Sequence, residues 1–359
     1  MGSSYGKNLK LSIFGTSHGP TIGMTLEGIP AGLAVDLEKL QQFLNRRAPG
    51  KNEWSTTRKE ADVPVFESGI ENGITTGETI RAVIYNQNVR SQDYDELKYI
   101  PRPGHADYAA WMKYGLDYDM AGGGPFSGRM TAPMCIAGEL CKQWLETMGI
   151  RIGAHITQIG LCSTTSFDFL SPELDQIQPD FPILNADDAE MFQSAIQQAR
   201  TEGNSIGGRI ECAVVGLPCG LGGELFCGVE SKLAHILYAI PAVKNVGFGL
   251  SDSFAIVPGS DSNDPFILSD GQVHTESNHC GGILGGITTG APVIFDVTIK
   301  PTPSIAKPQK SVNLKTMEEV TIQIKGRHDP CIVPRAVPVV EAAAAIAIYD
   351  LILGNNRND

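Results

Sequence analysis

Histidine occurs in three short runs beside glycine, proline and a second polar group: Gly15-Thr16-Ser17-His18-Gly19, Arg102-Pro103-Gly104-His105-Ala106-Asp107-Tyr108 and Gly326-Arg327-His328-Asp329-Pro330. Histidine exchanges protons near neutral pH, and flanking glycines let backbone and ligand approach closely. Three such runs, far apart in the chain, point to proton chemistry on a bound anion. The first follows a strand-like segment over 11–14, so Ser17 and His18 would stand in a loop at a strand end, open to a ligand or simply to solvent. The second presents Arg102 and His105 at the start of a helical stretch, where they would meet an anion or remain solvated charges at a helix start. In the third, a carboxylate between the turns that carry Arg327 and Arg335 would stay ionised, so Asp329 is a candidate base or half of a structural ion pair.

Two glycine clusters add a possible cradle. Gly122-Gly123-Gly124-Pro125-Phe126-Ser127-Gly128-Arg129 joins glycines, a hydroxyl and an arginine ahead of a helix, which suits phosphate. It matches neither the P-loop nor a convincing dinucleotide fingerprint. The run Gly281-Gly282-Ile283-Leu284-Gly285-Gly286 carries two apolar residues and is equally open to a packing role.

These residues need elements to hold them. Asp36 can cap a helix whose Leu37, Leu40, Phe43 and Leu44 share a face, delivering Arg46 and Arg47 to its C-terminus. Thr131 precedes a helix ending near Met148, and further helices are expected over 189–200, 229–240 and 339–353, the last apolar nearly all round and so buried. Strands are expected over 22–26, 80–85, 152–159, 210–215, 293–299 and 320–324. Strands outnumber the helices able to cross between them, which favours an α+β fold with antiparallel sheets packed on helices over a doubly wound parallel sheet.

The chain has 359 residues, 42% hydrophobic and 19% charged, with no linker-like stretch to divide it, and reads as one domain over 1–359. No apolar run approaches the roughly 20 residues of a membrane span, and the N-terminus lacks the apolar core of a signal peptide, so neither a membrane nor export is expected. The eight cysteines include no CxxC pair, as in a reduced cytoplasmic protein. No HExxH, HxxxH or paired-cysteine spacing appears, and no metal is expected. A net charge of −12 argues against nucleic acid, while arginines beside the glycine-rich runs leave room for a locally basic pocket that takes a small anion.

The runs GTSHG, NRRAPGK, RKEAD, RPGHADY, GGGPFSGR, SNHCGGILGG, KPTPS and GRHDPCIVPRAVPVVEA occur in that order. Together they closely resemble the chorismate synthase family, over residues 5–353. The resemblance implies a β-α-β sandwich and a lyase of the shikimate pathway. Its reaction is the 1,4-anti elimination of phosphate from 5-enolpyruvylshikimate 3-phosphate to give chorismate, requiring reduced FMN without net redox change. By the same resemblance, His18 with Ser17 protonates the departing phosphate, and His105 protonates the reduced flavin. Asp329 helps accept a proton, relayed with Ser17 and Ser127. Arg47, Arg102, Arg129 and Arg335 surround the substrate's phosphate and carboxylates, while Ser127, Ala242, Gly285, Lys300, Thr302, Pro303, Ser304 and Arg327 line the flavin. The family further implies a homotetramer, with NADPH involved only as a reductant; the lack of an extra reductase domain points to an external flavin reductase.

There are departures from the family pattern. Pro125 and Glu53 stand where many members have arginine, and Met130-Thr131 where they have a Glu-Thr pair; Lys51 or Lys59 could compensate for the lost cations. The competing reading is a non-catalytic or altered-substrate flavin-binding paralogue, against which the retention of His18, His105 and Asp329 weighs.

Overall fold

The computed structural model describes residues 3–50, 61–86, 99–269, 271–324 and 329–355. Period-two alternation builds two five-stranded sheets, with every pairing antiparallel. The first runs in the order Ser3–Tyr5, Lys10–Gly15, Thr21–Glu27, Ile80–Tyr85, Val65–Ser68. Its inner face carries Leu11, Ile22, Met24, Leu26, Ile80, Ala82 and Ile84, all buried. The second runs Val243–Phe248, Val293–Ile299, Gly208–Val215, Arg151–Ile159, Cys162–Ser163, with Ile152, Ala154, Ile156, Ile210, Cys212, Val214, Phe295 and Val297 on the inner face.

Two helices lie between the sheets. Thr131–Thr147 packs on the first sheet, the C-terminal helix Val333–Asn355 packs on the second, and the two helices pack on each other. Small residues let them approach: a Cβ at Gly138 would lie 2.4 Å from the Cα of Ala342. One apolar cluster runs through both sheets and both helices, each fully buried Leu or Ile contributing about 1.5–3 kcal/mol relative to exposure. This is the expected β-α-β sandwich. Leu37–Arg47, capped by the Asp36 carboxylate, which accepts from Lys39 N, packs against both central helices.

The elements differ from expectation at their ends. Thr131 does not stand before its helix as a cap; Met130 holds that position, and the Thr131 hydroxyl donates to Gly128 O at 2.6 Å. The strand expected over 320–324 is Glu318–Ile322, paired with Gln309–Asn313. Val243–Phe248 was not expected as a strand, because Asn245 and Gly247 interrupt its pattern. The C-terminal helix begins six residues earlier than proposed and includes Pro334 and Pro338. Pro334 lies in the first turn, where the missing N–H has no intrahelical acceptor, and Pro338 forgoes one bond near the start. At 23 residues, with an 18-residue window of mean hydropathy 1.9, the helix is long and apolar enough to span a bilayer, against the expectation that no run would be. All of its apolar window is buried inside the protein, as in a core helix.

Candidate active site

The first histidine run and the glycine-rich run meet at one turn. Lys10–Gly15 ends in a loop whose Ser17 N–H donates to Gly124 O at 3.3 Å. Gly122, Gly123 and Gly124 all have positive φ (58°, 93° and 52°), a path closed to most side chains. A Cβ on Gly122 would fall 1.9 Å from His18 Cε1, and one on Gly123 would fall 3.2 Å from His105 Nε2. The two imidazoles therefore lie against adjacent residues of a single glycine turn. Ser127 follows it, its hydroxyl oxygen accepting from Arg129 N at 3.3 Å.

His105 is fixed by its own loop. Its Nδ1 lies 2.7 Å from Asp107 Oδ1, and Arg102 holds the same carboxylate bidentately, Nε to Oδ2 and Nη2 to Oδ1, both at 2.7 Å. Burial alone would raise the Asp107 pKa, but the hydrogen bonds and charges of Arg102 and His105 outweigh it and hold the carboxyl well below the usual range. With Nδ1 turned to Asp107, Nε2 is the nitrogen left beside the glycine turn, where a proton could be exchanged. The role expected for Arg102 at an anion thus meets a competing partner in Asp107.

The other arginines are also paired. Asp62, buried and with φ of 45°, accepts from Arg47 Nη1 through Oδ2 and from Arg129 Nη1 through Oδ1. Burial would raise its pKa, yet the two guanidiniums bring it down. Arg47 is further held by Thr131 Oγ1 at 3.1 Å and Gly128 O at 3.2 Å. Arg129 reaches Asn86 Oδ1, while Asn86 Nδ2 donates to Gly19 O at 2.8 Å and so ties Arg129 to the loop of Ser17 and His18. Arg335 donates from Nη1 to Asp329 and from Nε to Arg47 O at 2.9 Å. Four guanidiniums thus face three carboxylates.

The 300–304 run closes the arrangement. Lys300 Nζ donates to Gly104 O beside His105, and Lys300 N donates to Ala242 O at 2.9 Å, where Ala242 adopts φ of 77°. Thr302 Oγ1 donates to Asp329 O at 3.0 Å, and a Cβ on Gly104 would lie 3.4 Å from Pro303 Cβ. Ser304 continues the same run, half-buried. Burial, and then Lys244, lower the Lys300 pKa. Ser17, His18, His105, Ser127, Arg47, Arg102, Arg129, Arg335, Asp329, Lys300, Thr302 and Pro303 are therefore linked by chains of direct contacts. Gly285 stands apart from those chains, at the tip of the hairpin formed by Ile283–Leu284 and Ile287–Thr288, next to Gly286, whose carbonyl accepts from Val229 N. Arg327 and Glu53 lie outside the described residues. Among the described residues no three His, Cys, Asp or Glu side chains form a metal-ligating group.

Such an arrangement can bind an oxyanion on arginines while two histidines exchange protons at adjacent residues of one turn. A family model described as chorismate synthase matches residues 9–353. The chain belongs to the chorismate synthase family. The family comprises enzymes of the shikimate pathway, lyases of aromatic amino-acid biosynthesis. The chorismate synthase of Lancefieldella parvula is 44% identical over 98% of this chain and 96% of its own, and that of Thermococcus gammatolerans is 44% identical over 97% of each. A crystal structure of chorismate synthase superposes with a TM-score of 0.78 at 27% identity, covering 98% of this chain and 93% of the other.

Sequence reasoning gave no role to Asp62, Asn86 or Asp107. Asp62 and Asp107 lie inside the RKEAD and RPGHADY runs, and a carboxylate amid clustered arginines was the available signal. Asn86 follows a strand with nothing around it to mark it.

Proposed function

We propose that this protein eliminates phosphate from 5-enolpyruvylshikimate 3-phosphate to form chorismate, with reduced FMN bound. The observation that carries this reading is the single glycine turn against which His18 and His105 both lie, which supports two proton exchanges a short distance apart, one toward the substrate and one toward the cofactor. His18 would give its proton to an oxygen of the leaving phosphate as the C3–O bond breaks, making phosphate a better leaving group. Arg47, Arg129 and Arg335 would bind and orient the substrate's anionic groups. Asp329, anchored by Arg335, would accept a proton, with Ser17 and Ser127 as relays. His105, when protonated on both nitrogens, would give the Nε2 proton toward the cofactor, with Asp107 at Nδ1 orienting the ring and stabilising the imidazolium.

The residues present fit an anionic flavin. Lys300 is disfavoured as a cation by burial and by Lys244, a cost that an incoming phosphate or ring anion offsets. Gly104, with φ of 74°, keeps the space between the His105 loop and Pro303 free of a side chain. Ser127, Lys300, Thr302 and Ser304 would hold the group. When bound, reduced FMN would supply electron density to the allylic system as the C–O bond breaks. We place the enzyme in the cytoplasm as a homotetramer, served by an external flavin reductase, with NADPH only as a reductant.

The test is anaerobic phosphate release and chorismate formation with reduced FMN, comparing the wild type with His18→Ala, His105→Ala and Pro125→Arg. Equal amounts of both products from the wild type, lost in both histidine variants, are expected. No product from a wild type that still binds flavin would favour the non-catalytic or altered-substrate paralogue, and rescue by Pro125→Arg would trace the loss to the missing cation.

A further inference from the structure

Asp62 sits where an arginine-rich anion site would be expected to place its ligand. It is 2% exposed, and the arginines on either side, Arg47 and Arg129, are 3% and 7% exposed. Each oxygen of its carboxylate takes one guanidinium. Both guanidiniums are also held from other directions by uncharged acceptors, Arg47 by Thr131 and Gly128, Arg129 by Asn86. Their spacing is therefore not maintained by Asp62 alone. Taking the carboxylate away would remove the charge that bridges the two buried guanidiniums, one from each oxygen, and leave a gap there.

The position of this gap indicates which oxyanion. Asn86 links Arg129 to the loop of Ser17 and His18 through its bond to Gly19 O, so the gap is joined to the loop that carries the residue read as the acid for departing phosphate. We propose that Asp62 is a built-in oxyanion: its carboxylate occupies the phosphate locus, keeps Arg47 and Arg129 arranged as a phosphate would bridge them, and competes with phosphate for both. This rests on the reading that the enzyme releases phosphate. The consequence is kinetic as well as structural. The two arginines are preorganised before substrate arrives, and a competing internal carboxylate prevents them from retaining the product anion.

Thermal unfolding of wild type, Asp62→Asn and Asp62→Ala is followed against inorganic phosphate and, separately, malonate. A ligand that binds only the folded state raises its stability in proportion to occupancy. In both variants phosphate is expected to act at about tenfold lower concentration than in wild type, the effect of one charge-assisted contact regained. Phosphate should also inhibit turnover at correspondingly lower concentration. A variant that folds only with phosphate present supports the proposal in its strongest form. Equal phosphate responses in variants and wild type overturn it, as do variants that fail to fold with or without phosphate, or a larger response to malonate than to phosphate. If wild type forms no chorismate while the variants gain phosphate affinity, the built-in oxyanion stands and the functional reading falls. If wild type is active and the variants gain nothing, the reverse holds.

Discussion

Gly138 and Gly122 both admit no side chain, for opposite reasons. At Gly138 a Cβ would meet the backbone of Ala342 at 2.4 Å, because two helices are drawn together by burying apolar surface. At Gly122 it would meet the ring of His18 at 1.9 Å, because a proton-carrying side chain must lie against a turn in the left-handed region. The helical centre is held by many weak, interchangeable contacts around Ile136, Leu140, Ile346 and Tyr349. The site is held by few, directional ones in which one carboxylate serves two cations. A core of the first kind tolerates changes that conserve volume, whereas an arrangement of the second kind depends on each member.

Substitutions can separate the two regions. Gly122→Ala should displace His18 and lower kcat by about 10²–10⁴-fold, the usual worth of general acid catalysis, while stability falls only by the roughly 1–2 kcal/mol that a side chain in the left-handed region costs. Steady-state kinetics alongside denaturation would show this, and a matching loss of stability would mean that the turn is scaffold rather than site. Gly138→Val should do the reverse, costing about 3 kcal/mol or more in urea unfolding while the folded fraction keeps its KM. Asp107→Asn leaves His105 without its charged partner and Arg102 half-paired. We expect kcat to fall about 10–100-fold with a changed pH profile, and an unchanged profile would deny Asp107 its positioning role.

The smallest effect concerns the polar seam inside the helical centre. Glu341, buried, accepts from both Arg46 Nη atoms at 2.7 and 2.9 Å and from Lys142 Nζ at 2.8 Å. Burial would raise its pKa, but these cations hold it at about 2, so its contribution is present above the ordinary 4.5 and is lost as pH falls toward 2. At Glu139, burial outweighs the lowering effects of Lys142, of the Gln143 hydrogen bond and of Lys39, and pushes the carboxyl up to about 7. Between 4.5 and 7 the folded chain keeps a proton that the unfolded chain has lost, so stability declines as pH rises through that window. Glu139→Gln should remove that decline and stabilise the protein by about 1–3 kcal/mol near pH 8 with little change near pH 4. A stability difference independent of pH would assign Glu139 a different role.

Much of the fold was legible because burial writes a period into the chain. Alternation at Ile22, Met24 and Leu26, and the Asp36 cap before Leu37–Arg47, each require only neighbours in sequence. The start of the C-terminal helix was not legible, since Pro334 and Pro338 signal a break unless the chain is known to begin a helix there. The histidines and arginines of the site could be named from their runs, yet their partners could not. Nothing near Asn86 announces that it joins Arg129 to the His18 loop, and nothing near Asp62 announces that it stands between two arginines 15 and 67 residues away.

The residues by themselves determined the inventory: the alternating strands, the apolar helices, the glycines able to take positive φ, and the histidines, arginines and aspartates available for chemistry. Only the tertiary structure decided which carboxylate meets which guanidinium, that one glycine turn carries both imidazoles, and that a helix apolar enough for a membrane fills the centre of a sandwich. Periodicity and capping are local and survive in the sequence. Charge pairing and close approach depend on distances between segments, which exist only once the sheets and helices have packed.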